Sequence, residues 1–226
     1  MSNNCIPKII YDDKNIIVAE KPAGFPSQAD KTNDENMLSE LSKQLTTEVF
    51  LVHRLDRPVG GIMVFAKNKK ACSSLSMQVQ DKTFKKTYHA ITCGIPKENS
   101  KTLIDYMQKN QRLNISKIVQ KNMPNAKMAE LSYEVQKTIE TSEYGSLALL
   151  KINLKTGRHH QIRLQLSNAG FPIWGDTKYN DIFKKRGGFV NIALFASSIT
   201  FKNPTTNTLE TYSLPLPNAV PFSLLT

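Results

Sequence analysis

The chain has 226 residues, 40% hydrophobic and 22% charged, which excludes wholesale disorder and predicts one substantial domain, or one domain whose two lobes share a sheet. Thirty basic against nineteen acidic residues give a formal net charge of +11, which favours a polyanionic partner through counterion release and equally serves plain solubility. Cys5, Cys72 and Cys93 are too few and too scattered for a disulfide framework or a structural zinc, and neither a signal peptide nor a membrane-length apolar run is visible, so a reducing cytoplasm is expected.

In chain order, Lys8-Ile9-Ile10-Tyr11 and Ile16-Ile17-Val18-Ala19 flank an acidic turn and predict a β-hairpin, which Lys21-Pro22-Ala23-Gly24 ends. A helix is expected over 33–45, with Met37, Leu38, Leu41 and Leu45 as its apolar positions. The polar His53-Arg54-Leu55-Asp56-Arg57-Pro58 follows the apolar Phe50-Leu51-Val52. Gly60-Gly61 reads as a break, and the continuous apolar run 62–66 as a buried central strand. A helix over 68–80 and a strand over 84–93 come next. Alternation puts Phe84, Lys86, Tyr88 and Ala90 on one face of that strand.

The polar stretch 109–127 reads as a long loop or insertion. Strands are expected over 130–138 and 146–154, then a short helix from about Arg158 to Asn168 ended by Ala169-Gly170 and Pro172. On that helix His159 and Arg163 share a face at i,i+4. Strands return over 189–201 and 209–212. Strands dominate without regular βα alternation, which predicts an α+β fold with a mostly antiparallel mixed sheet and flanking helices.

Arginine is scarce. Of its six positions, Arg54 and Arg57 fall in one short segment and Arg158 and Arg163 in another, with Arg112 and Arg186 apart. In a chain that uses lysine for most basic positions, arginine marks places where a planar, permanent charge meets a carboxylate, phosphate or base. Asp56, set between Arg54 and Arg57, needs such a partner if it packs against buried strands, and Arg163 is the candidate. The same pattern also suits a purely structural ion pair. Tyr88 alone reads as core, and 156–163 as a solvated helical face. The four histidines show no metal-ligand spacing, and no phosphate-binding glycine loop or nucleophile elbow is present, so neither a metal nor a nucleotide cofactor is expected.

Taken together, four segments resemble the RluA-type pseudouridine synthases. His53-Arg54-Leu55-Asp56 with Gly60-Gly61 resembles the family's HRLD motif, and 13–24 its opening strand and KPAG turn. Lys86-Thr87-Tyr88 resembles the tyrosine-bearing strand. Thr156-Gly157-Arg158-His159-His160-Gln161-Ile162-Arg163, with Pro172-Ile173-Trp174-Gly175-Asp176, resembles the C-terminal signature. The likeness runs from about 8 to 215. It implies a single catalytic domain over 1–226 without an S4-type domain, and a pseudouridine synthase fold with a central RNA-binding cleft.

The resemblance implies cofactor-independent isomerisation of uridines in structured RNA, ribosomal or transfer. With no coiled-coil heptads or obvious dimer seam a monomer is the default, and neither DNA nor a membrane is expected as a partner. The resemblance makes Asp56 the nucleophile, pairs Arg163 with it, and stacks Tyr88 under the flipped uracil. Arg54 would enter the RNA stack or grip phosphate, and Ile162 and Leu164 would wall the site. His53, Leu55, Lys86 and Arg158 complete the substrate-binding set, with Lys21 and Lys67 as further phosphate candidates. The rivals are a catalytically silent RNA-binding paralogue, in which the carboxylate would only repel phosphate, a hydrolase with Asp176 as its second carboxylate, and a purely structural RNA-associated protein, which leaves the arginine clustering unexplained.

Overall fold

The structure is a computed structural model describing residues 7–30, 34–186 and 190–226. Its elements in chain order are β1 (Lys8–Asp12), β2 (Ile16–Lys21), α1 (Met37–Leu45), β3 (Phe50–Leu51), β4 (Gly60–Ala66), α2 (Lys69–Gln80) and β5 (Lys85–Cys93). They continue as β6 (Ser100–Asn110), β7 (Ile115–Val119), β8 (Lys127–Thr141), β9 (Gly145–Leu154), α3 (Gln161–Asn168), α4 (Asp181–Arg186), β10 (Leu194–Lys202) and β11 (Leu209–Ser213). The expected α+β class holds.

The chain divides into two compact units. Unit 1 takes the described residues of Met1–Lys86 and Ala196–Pro215, and unit 2 those of Thr87–Phe195 and Leu216–Thr226. In unit 1 the strands run β1-β2-β4-β10, with β3 on β4 and β11 on β10. The pairings of β1 with β2, β2 with β4, β3 with β4 and β10 with β11 are antiparallel. Every residue of β4 is buried, as its unbroken apolar run predicts for a strand covered on both faces. Ile16, Val18, Ile62, Val64, Phe84 and Phe201 share one core cluster.

Gly60 and Gly61 do not break the chain; they begin β4. Gly61 has φ +129°, and a Cβ there would lie 2.3 Å from the carbonyl oxygen of Ala196, so glycine is what lets the two backbones approach. Helix α1 starts at Met37, later than its apolar spacing suggested, because Asn36 caps it in a reciprocal box with Ser39. Asn33 lies outside the described residues. Asn68 caps α2 through the Ala71 amide.

In unit 2 the order is β5-β9-β8-β6-β7, antiparallel at every step. The polar stretch expected to be a loop is instead the end of β6, all of β7 and the start of β8. Only Met107 of β6 and Ser116 of β7 are buried, so pairing rather than an apolar face holds this hairpin. Met107, Ala129 and Leu164 form a small core cluster with Ile118 and Tyr179 against it. Helix α3 begins at Gln161, not Arg158, because His160 takes φ +55° and ψ +27°. His159 therefore precedes the helix and shares no helical face with Arg163. Gly170, at φ +91°, follows the last turn as expected. The strand expected over 189–201 runs instead over Leu194–Lys202, and Phe189 lies outside the described residues.

Candidate active site

In unit 1, Asp56 stands half-buried on the loop that joins β3 to β4, between exposed Arg54 and exposed Arg57. The loop has no ladder of its own, and side chains and turns bond several of its backbone groups instead. Ser27 Oγ accepts from the Leu55 amide at 3.2 Å and donates to the Leu55 carbonyl at 3.0 Å. The Val59 amide donates to the Asp56 carbonyl at 2.9 Å, closing a tight turn directly after the carboxylate. The Arg57 carbonyl accepts from the Gly24 amide at 2.8 Å and from Lys21 Nζ at 3.0 Å.

His53 is buried, its ring centroid 5.3 Å from that of Phe84, and its Nε2 accepts from the Val64 amide at 3.3 Å. Burial and, secondarily, the nearby Lys86 charge push its pKa down to about 3, so the ring is neutral at physiological pH. With Nε2 accepting, the proton sits on Nδ1, which has no partner among the described residues. His53 and Leu55 thus build the loop from inside. Arg54 is exposed and unpaired among the described residues. Arg57 turns the other way, with Nε on the Gly24 carbonyl and its guanidinium against Asp30 and Asp34.

Lys21 is completely buried, which corrects the expectation that it contacts phosphate. Its ammonium donates to the carbonyls of Pro22, Phe25 and Arg57 at 2.9, 2.5 and 3.0 Å. Burial lowers its pKa to about 7, and the Asp56 carboxylate works against that shift. Lys67 pairs with Asp12 at 2.7 Å. Lys86 is half-buried with Nζ 6.0 Å from the Phe84 ring centroid, and burial lowers its pKa.

In unit 2, β5 carries Tyr88, which is 6% exposed and opposite Ile152 of β9. Three residues on, the Ile91 carbonyl accepts from the Trp174 amide at 2.9 Å, and Thr92 bridges Ile173. That anchor delivers Asp176 to α3. Gly175, at φ +77°, makes the approach possible, since a Cβ would lie 2.4 Å from the Asn191 carbonyl oxygen.

The Asp176 carboxylate receives Arg163 Nε at 2.8 Å and a terminal guanidinium nitrogen at 2.6 Å, a two-point fork. It also accepts from the amides of Lys178 and Tyr179. Tyr179 lies over the guanidinium, 5.4 Å from ring centroid to Cζ. The sequence reading missed this buried partner of Arg163. Its signal was an acid placed directly after Gly175 in an otherwise apolar segment.

Around the start of α3, His160 Nδ1 meets the Tyr179 hydroxyl at 2.9 Å, and the His159 and His160 rings stack at 3.7 Å. Burial first, then the nearby charges of Arg163, His159, Lys178 and Lys109, hold His160 down at about 2. Gln165 is fully buried and donates to Asp105 at 2.8 Å and to the Ala129 and Leu103 carbonyls. Arg158 is exposed, with Nε on the Met128 carbonyl at 2.9 Å. Ile162 is 4% exposed, and Leu164 belongs to the unit's small core cluster. An open groove of about 990 Å³ elsewhere in unit 2 is lined by residues such as Ser100, Thr102, Ser132 and Gln136, none of them implicated above.

No group of three or more His, Cys, Asp or Glu able to hold a metal ion occurs among the described residues. No helix among them is long and apolar enough to cross a membrane.

Comparison with known proteins places these segments. The family model described as RNA pseudouridylate synthase matches residues 15–168. The chain is 31% identical over 213 residues to a protein of Vibrio cholerae named tRNA pseudouridine synthase C, covering 88% of this chain and 86% of that one. It is 30% identical over 210 residues to the ribosomal large subunit pseudouridine synthase C of Buchnera aphidicola, covering 90% of this chain and 65% of that one. The solved structure of human RNA pseudouridylate synthase domain containing 1 superposes with a TM-score of 0.80 over 94% of this chain and 84% of that one, at 21% identity, an agreement of fold.

Proposed function

The chain belongs to the RNA pseudouridylate synthase family and is an isomerase that converts uridine to pseudouridine, and from that premise we propose that Asp56 is its nucleophile and transfer RNA its substrate. The reaction breaks the bond from C1′ to N1, turns the uracil, joins C1′ to C5, releases the C5 proton to solvent and takes up a proton at N1. Atoms and electrons balance without a redox partner. The target base lies in folded RNA and must leave the stack first.

What supports the reading of Asp56 most is its placement. Asp56 is half-buried on a turn whose two flanking residues are both fixed through their backbones, beside an arginine with no protein partner among the described residues. A nucleophile needs that fixity, because orientation removes much of the entropic barrier. Asp56 attacks C1′, or abstracts a sugar proton to give a glycal. Arg54 enters the vacated position or holds a neighbouring phosphate. Tyr88 stacks against the extruded uracil, and Arg163 is the cationic partner of the reacting carboxylate. Ile162 and Leu164 supply apolar wall, while Lys86 and Arg158 contact the RNA.

Transfer RNA is favoured over ribosomal RNA by coverage. The chain spans 86% of the Vibrio cholerae relative named for tRNA and only 65% of the Buchnera relative named for the ribosomal large subunit. The proposed setting is the cytoplasm, which suits the free thiols of Cys72 and Cys93, and the proposed working form is a monomer. The test is to map pseudouridines in transfer and large-subunit ribosomal RNA from cells with and without the gene. A site lost from transfer RNA is expected, and a loss confined to ribosomal RNA overturns the substrate assignment.

A further inference from the structure

We infer that segment 21–27 is the element that positions Asp56 for reaction, and that Ser27 is the positioning residue through which it governs turnover; this rests on the reading of Asp56 as nucleophile. Asp56 has two neighbouring residues, and this one segment grips both. On one side, Ser27 Oγ closes on both polar groups of Leu55, 3.2 Å from its nitrogen and 3.0 Å from its oxygen. A hydroxyl both donates and accepts, so one small side chain does the work of a neighbouring strand. On the other side, the Arg57 carbonyl is held by the Gly24 amide at 2.8 Å and Lys21 Nζ at 3.0 Å.

The segment is itself rigid. Lys21 closes β2 opposite Gly61, and its ammonium ties the carbonyls of Pro22 and Phe25. The Phe25 amide returns to the Pro22 carbonyl at 3.3 Å. Ser27 is 5% exposed, with Met63 Sδ 3.7 Å from its hydroxyl. A hydroxyl in such a place costs free energy unless it is bonded, and the bonds that repay it run to the peptide preceding Asp56. No surface contact explains Ser27; its geometry points at the loop.

The experiment uses the full chain and total RNA labelled with tritium at uracil C5, taken from cells lacking the gene. Turnover and KM are measured for wild type, Ser27→Ala, Ser27→Thr and Asp56→Asn, at a temperature where circular dichroism shows every variant folded. Ser27→Ala is expected to lower kcat roughly 10- to 100-fold while KM stays within about 2-fold, because loosening a reacting group by even an ångström costs about that much. Ser27→Thr, which keeps the hydroxyl, is expected to restore most of the rate. If Ser27→Ala fails to fold, Ser27→Cys, a near-isostere with a weaker donor, takes its place in the same comparison.

Wild-type kcat in the hydroxyl-deficient variant, beside an inactive Asp56→Asn, overturns the positioning role and leaves Asp56 standing. A fall in kcat that threonine does not relieve also overturns it, since packing alone then explains the loss. An active Asp56→Asn removes the nucleophile itself, whatever Ser27 does.

Discussion

Replacing Asp176 by alanine isolates the part of unit 2 that holds Arg163. The two side chains are 4% and 0% exposed, joined at 2.6 and 2.8 Å, so removal of the carboxylate takes a two-point acceptor from a buried guanidinium. Breaking one side of such a pair costs about 3–5 kcal/mol, and the amides of Lys178 and Tyr179 lose their acceptor as well. An unfolding entropy of about 2.1 cal/mol/K per residue gives this chain roughly 0.5 kcal/mol/K, so Tm is expected to fall by about 6–10 °C. The assay is thermal and urea unfolding of wild type, Asp176→Ala, Arg163→Met and the double variant Arg163→Met/Asp176→Leu. The double variant removes both charges and is expected to regain most of the lost stability, because the penalty lies in one buried charge losing this two-point partner rather than in losing the pair as a whole. A loss below about 1 kcal/mol for Asp176→Ala, or strict additivity in the double variant, refutes the reasoning.

Two further outcomes follow from unit 1. Gly61→Ala is expected to cost about 3–5 kcal/mol, from a Cβ placed 2.3 Å from the Ala196 oxygen and from the backbone at φ +129°, and urea unfolding checks it. Lys21 has its folded pKa lowered to about 7 from an ordinary 10.5, so between those values the unfolded chain binds more protons than the folded one. Stability from this group is full above about 10.5 and lost as pH falls through about 7. Urea unfolding at pH 6, 8 and 9.5 is expected to show that rise in wild type and not in Lys21→Met; equal slopes in the two proteins contradict it.

Much of unit 1 was legible because its strands are buried. The apolar runs of β2 and β4 need no partner to be recognised, and Asn68 marks the start of α2. The β6–β7 hairpin was not legible, since it buries little and is held by ladder bonds that composition does not encode. Gly60-Gly61 was misread because glycine serves equally to break a strand and to let two backbones meet, and only the neighbour at Ala196 decides which. The start of α3 was placed too early because nothing in His159-His160 announces a left-handed residue.

In the site, Asp56, Arg54 and Arg163 stood out through charge in unusual company. Ser27 gave no signal, because a serine near a proline reads as a turn until its hydroxyl is seen closing on Leu55. Lys21 looked like a surface cation, because sequence shows a charge but not the three carbonyls that draw it inward.

The most direct test of the central claim is release of tritium from uracil C5 by wild type and Asp56→Asn side by side, on RNA from cells lacking the gene, with pseudouridine confirmed by chromatography. Release by wild type, and none by a folded Asp56→Asn that still binds RNA, is the predicted result. Near-normal release by Asp56→Asn contradicts the account.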